Sequence, residues 1–115
     1  MNDILALTDP VDLSPTQRAP HLAYIYMGEV YNGGHGQYFS NHEHLDHQEV
    51  IRALEIIGAR EQADILKGAL RRFTANQADE MSEPDKLFYE CKTNIEFHLE
   101  AYLDEHESEF VEWIP

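Results

Sequence analysis

Apolar residues recur along this chain at steps of three and four, the spacing that lines one face of an α-helix. Leu22, Ile25, Tyr26 and Val30 keep that step, with Glu29 among them, and so do Val50, Leu54 and Ile57, then Leu66, Ala69, Leu70 and Phe73. The longest run is Phe88, Cys91, Ile95, Leu99, Tyr102, His106, Phe110 and Trp113. At about 100° per residue these positions share one stripe, which predicts a single long C-terminal helix. No stretch holds the period of two that a strand needs, and no internal repeat appears. The pattern therefore predicts an all-α fold, a compact bundle of about five helices.

The polar punctuation agrees with that division. Ser14-Pro15 reads as an N-cap followed by a first-turn proline, since Ser accepts a free backbone N–H and Pro has none to satisfy. Pro20 marks a kink or a later start. Asn32-Gly33-Gly34 stops the first helix, because glycine accepts the left-handed conformation of a helix end. A short helical turn follows around Gln37 to Ser40, and Gly58 closes the next helix. Asn76 to Ser82 is a polar loop, and Ser82-Glu83-Pro84-Asp85 predicts a helix start with Ser82 as cap and acids at the positive end of the dipole. Residues 1 to 13 have no clear period and carry turn residues at Asp9-Pro10 and Asp12, so they read as an N-terminal arm.

Composition narrows the class. With 115 residues, 43% of them apolar, the chain makes one domain, residues 1–115, with enough apolar surface to fold. Against 22 acids there are only 8 bases, a formal charge of −14. Such a field repels nucleic acid and anionic lipid and draws in cations or basic protein surfaces; the competing reading is a solubilising charge. Cys91 is a lone cysteine, which excludes an internal disulfide, and its helical spacing from Phe88 and Ile95 predicts burial. The short apolar run Ile4 to Leu7 lacks the basic flank and length of a signal peptide, and no stretch approaches a membrane span, so a cytoplasmic location is expected.

The acids are unevenly placed. After Lys92 there is no further base, while Glu96, Glu100, Asp104, Glu105, Glu107, Glu109 and Glu112 follow. In the predicted helix Glu96, Glu100, Asp104 and Glu107 flank the apolar stripe. Like charges one turn apart cost a helix a few tenths of a kcal/mol per pair, roughly, so helix stability alone does not favour the arrangement. DNA also presents a row of negative charges at short, regular intervals, which makes these four residues the candidate partner-binding set. A solvated face is the competing reading.

The most distinctive segment is Glu29-Val30-Tyr31-Asn32-Gly33-Gly34-His35-Gly36-Gln37-Tyr38-Phe39-Ser40-Asn41. The glycines permit a tight reversal, Asn32 and Gln37 can satisfy backbone groups at helix ends, and Tyr38 and Phe39 offer core area, so the motif reads as structural. A phosphate-cradling loop would want a preceding strand and a Lys. The segment resembles the bacterial DNA-mimic protein family, whose signature is an acidic residue, Asn-Gly-Gly, then Gln, two aromatics and Asn. Glu29, Asn32, Gly33, Gly34, Gln37, Tyr38, Phe39 and Asn41 carry the likeness, which continues more loosely from Ala53 to Ala59. His35 departs from the aromatic expected after the two glycines. The resemblance implies a helical domain and, as in the studied case, an acidic dimer that occupies the DNA-binding surface of a helix-turn-helix transcription factor. It leaves open an immunity or antitoxin-type role.

One string suggests chemistry. His42-Glu43-His44-Leu45-Asp46-His47 spells the H-x-H-x-D-H of metallo-β-lactamase-like hydrolases, and His42, Asp46 and His47 could in principle hold zinc. That fold is a far larger sheet sandwich with the string at a strand end, whereas here a turn precedes and a helix follows. An interhelical loop, with Asn41 or Asp46 capping the next helix, is the reading the context favours. No serine sits in a nucleophile elbow. The sequence thus predicts no catalytic residue, no metal and no cofactor. It predicts an acidic protein whose partner is a basic protein, foremost a DNA-binding regulator, and neither nucleic acid itself nor a membrane. A homodimer is compatible with this. The alternative is an inhibitor of a basic toxin or nuclease, and after it a metal-dependent hydrolase.

Overall fold

The computed structural model describes residues 14–77 and 79–107. Five helices follow one another: α1 Pro15–Asn41, α2 His47–Ile56, α3 Arg60–Thr74, α4 Ser82–Tyr89 and α5 Ile95–Glu105. No strand occurs among the described residues. The all-α expectation holds, in a single domain with α1 at its centre: α2, α4 and α5 all pack against α1, and α3 bridges α2 and α4. Tyr26, Tyr38, Phe39, Leu22, Leu54, Leu66 and Ile95 fill the interior.

Local sequence explains most helix ends. Ser14 accepts from the Gln17 amide, and the Gln17 side chain answers to the Ser14 backbone, a reciprocal capping box ahead of Pro15. Pro20 neither kinks nor delays the helix, since non-helical dihedrals inside α1 occur only at Gly33 and Gly34. α2 ends as expected at Gly58, whose φ of 91° suits glycine, and the Ala59 amide closes back on the Leu54 carbonyl at 2.8 Å. Asn76 serves α3 the same way, with φ 60° and the Gln77 amide on the Arg72 carbonyl.

Two expected helix boundaries in the second half of the chain are corrected. The predicted long C-terminal helix is two helices, α4 and α5, separated by residues 90–94. Asn94 caps α5 by accepting from the Phe97 amide at 2.9 Å, and Gln62 of α3 donates to the Thr93 carbonyl at 2.6 Å. Capping and a tertiary bond thus take backbone groups that a continuous helix would have paired internally. Phe88, Ile95, Leu99 and Tyr102 still face inward, from two helices instead of one, whereas Cys91 falls in the break and is only half-buried. Phe110 and Trp113 lie outside the described residues, as does the arm at 1–13. The second correction concerns Ser82, which is the first residue of α4 and not its cap; Met81 holds that position with no side-chain hydrogen bond.

Candidate functional site

The Asn-Gly-Gly segment, expected to stop the first helix, instead breaks α1 without ending it. Gly34 has φ 79° and ψ −176°, a conformation nearly restricted to glycine, and the helix resumes at His35 on a new course. A distant residue secures that junction. Asp85, in the first turn of α4, accepts from the His35 backbone N–H at 2.8 Å and sits at 2.7 Å from His35 Nδ1. A Cβ at Gly34 would lie 2.5 Å from the same carboxylate, so glycine here provides room for Asp85 as well as backbone freedom. Gly33 has a similar duty, since a Cβ there would overlap the Gln37 side chain.

The His35 ring is fully buried, and its other nitrogen is 2.6 Å from the Tyr26 hydroxyl. An ionised Asp85 can only accept, so Nδ1 carries the proton, and Nε2 then accepts from Tyr26. Burial lowers the His35 pKa, opposed by the hydrogen bond and charge of Asp85, while burial raises the Tyr26 pKa strongly. The Asp85-His35-Tyr26 chain has the form of a proton relay. Its far end, Tyr26, is 0% exposed and reaches no solvent, so the chain ties α4 to both limbs of α1. The position at which the sequence departs from the resembled signature is thereby one of the best satisfied in the molecule.

Gln37 and Asn41 of the motif converge on Glu29, which accepts from Asn41 at 2.8 Å and Gln37 at 3.4 Å and pairs with His42 at 3.2 Å. Tyr38 and Phe39 are buried as expected, with Phe39 stacked on Phe73 of α3 at 4.5 Å. Asn32 is exposed. Gly33 and Gly34 therefore form the hinge of α1, Gln37 and Asn41 tie its second limb to Glu29 on the first, and Asp85 completes it from a stretch that the sequence marked only as a helix start.

The histidine string is taken apart by the fold. His42 pairs with Glu29, Asp46 caps α2 by accepting from the Gln48 and Glu49 amides, and His47 Nδ1 lies 2.8 Å from the Tyr38 hydroxyl. His44 is exposed. Among the described residues no group of three or more His, Cys, Asp or Glu is placed to hold a metal ion. Nor is any described helix long and apolar enough to cross a membrane.

Of the four candidate partner-binding acids, Glu96, Glu100 and Asp104 follow one another on α5, and all are exposed. Their positions lie around the helix from the buried Ile95, Leu99, Tyr102 and Leu103, with a rise of about 6 Å per step. Glu107 is exposed but lies beyond His106, the C-cap, and so outside the helical register of the other three. None of the four makes an ion pair among the described residues, whereas other surface acids do: Glu49 with Arg18, Glu55 with Lys67, and Glu83 with Arg72. The sequence did not indicate that exposed aromatics stand beside this face. Tyr31, Tyr89 and Phe97 are all exposed, and Glu96 is close enough to Tyr31 to add to the rise that burial gives its hydroxyl pKa.

Fold and surface together define a small acidic all-α domain whose outer face on α5 is carboxylate without compensating base. A family model described as DMP19-like protein matches residues 11–106, and the chain belongs to that family, a family of DNA-mimic proteins. No curated protein and no solved structure matches the chain significantly.

Proposed function

We propose that this protein works by binding, without catalysis, and occupies the basic DNA-binding surface of a regulator such as a helix-turn-helix transcription factor in the cytoplasm. Glu96, Glu100, Asp104 and Glu107 take the place of backbone phosphates. The observation that carries this reading is the line of Glu96, Glu100 and Asp104 along one exposed face of α5, in a stretch without Lys or Arg. Membership of a DNA-mimic family supports it. Side chains on a DNA-reading surface that pair with phosphates pair equally well with carboxylates, through charge-assisted hydrogen bonds.

The test separates pattern from net charge. Lys at Glu96 and Glu100 together is set against Lys at Glu43 and Asp79, two exposed acids on other elements. Both double variants carry the same net charge. The α5 variant loses most of its affinity for the partner regulator, the scattered variant little, and DNA bearing the regulator's site competes with the native protein. Equal loss in both variants, or simultaneous binding of DNA and protein, overturns the reading.

A further inference from the structure

We infer that the Tyr31–Tyr89 pair beside Glu96 is a receptor for an arginine side chain of the partner, so that the surface selects arginine over lysine. This rests on the reading above in taking the partner's surface as basic, and adds which base it must present and where. Three elements bring the site together: Tyr31 lies at the end of the first limb of α1, Tyr89 is the last residue of α4, and Glu96 is in the first turn of α5. The two rings stand 5.7 Å apart with planes inclined at 58°, and Phe88 beneath meets each edge-on. Tyr31 is 41% exposed and Tyr89 58%. The Tyr89 hydroxyl is used internally, reaching the Val30 and Tyr31 carbonyls at 3.4 Å. That contact fixes the ring and leaves much of its area to solvent.

Charge decides the occupant. The Glu96 charge is felt at Tyr31, and Glu90 directly follows Tyr89; neither acid makes an ion pair among the described residues, although Lys86 and Lys92 are near in sequence. A purely apolar partner would have to strip water from these carboxylates without replacing its hydrogen bonds. A guanidinium does both jobs, stacking its plane on a tyrosine ring while its N–H fork meets a carboxylate. A lysine ammonium is more strongly hydrated and has no plane to stack.

The test titrates the full chain by calorimetry with an octa-arginine and an octa-lysine peptide at matched ionic strength. The native protein binds the arginine peptide more tightly; Tyr31→Leu and Tyr89→Leu each weaken it about fivefold while changing lysine-peptide affinity less than about twofold, the scale of one exposed cation–π contact. Tyr31→Phe keeps the ring and the preference, and E96Q reduces binding of both peptides. Circular dichroism checks each variant's fold, and Tyr31→Leu with Tyr31→Phe suffices should Tyr89→Leu lose the α1 contact. Equal affinity for the two peptides, or an equal loss for both in Tyr31→Leu, overturns the inference. So does a fall in the sedimentation coefficient of Tyr31→Leu below that of the native protein, which would make the patch a contact between copies. Failure here with DNA competition intact leaves the regulator reading standing on the carboxylates; loss of DNA competition with arginine preference intact removes the regulator and keeps the receptor.

Discussion

At the scale of single residues, two glycines in the same helix make opposite demands. Gly34 sits at φ 79° with the Asp85 carboxylate where its Cβ would be, so Gly34→Ala meets backbone strain and displaces the acceptor of two hydrogen bonds. A loss of about 2 to 3 kcal/mol in urea unfolding is expected. Gly28 is helical and exposed with nothing within 4 Å of its would-be Cβ, and Gly28→Ala should stabilise by about 0.5 to 1 kcal/mol. Two histidines make stability depend on pH. Burial lowers the pKa of both His35 and His47 below the ordinary 6.5, and His47 Nε2 is buried with no partner for an added proton. Well above pH 6.5 both rings are neutral in the folded and unfolded chains; as the pH drops through 6.5 the unfolded chain takes up protons first, so stability decreases as the pH is lowered until the folded values are reached. His47→Gln removes one such group, and its unfolding free energy should drop less between pH 7 and pH 5 than that of the native protein, whatever its starting value.

Capping chemistry governs the elements, and it was legible only where it is local. Asp46 precedes α2 in sequence and caps it with bonds of 3.0 and 3.2 Å, as its position in the histidine string suggested. Ser82 has the same type of sequence context yet stands one residue inside α4, because Met81 enters the core at 5% exposure and the chain turns there. Asp46→Ala should cost about 1 kcal/mol and Ser82→Ala less than about 0.5, compared by thermal unfolding. The break between α4 and α5 was illegible for a different reason. The apolar stripe passes through it with unbroken spacing, since both helices face the same core, and beside the local cap Asn94 the group that holds it open, Gln62, lies on α3. Periodicity reports which side of the chain is buried, and it is silent on whether the backbone between two buried positions is continuous.

At the scale of the whole molecule, the described residues span principal extents of 42 × 29 × 21 Å. At about 10 mM salt the Debye length, about 30 Å, spans most of that, and at 150 mM it is about 8 Å. Added salt weakens pairs such as Arg18–Glu49, but 22 acids against 8 bases make self-repulsion the larger effect. The melting temperature should therefore rise with sodium chloride over this range; a fall would mean that the ion pairs dominate. By itself, the sequence determined the helical class, most of the core positions, an interruption at Gly33-Gly34, the stop at Gly58 and the one-signed acidic stretch after Lys92. Each of these depends on spacing or on neighbours within a few residues. Only the tertiary structure decided that Asp85 holds the hinge across 50 positions, that the histidine string is divided among Glu29, Tyr38 and the cap of α2, and that Tyr31, Tyr89 and Glu96 share one surface. Those groups meet through packing of distant segments, and side-chain hydrogen bonds and ring contacts form wherever packing brings partners within about 3 to 6 Å, at any separation along the chain.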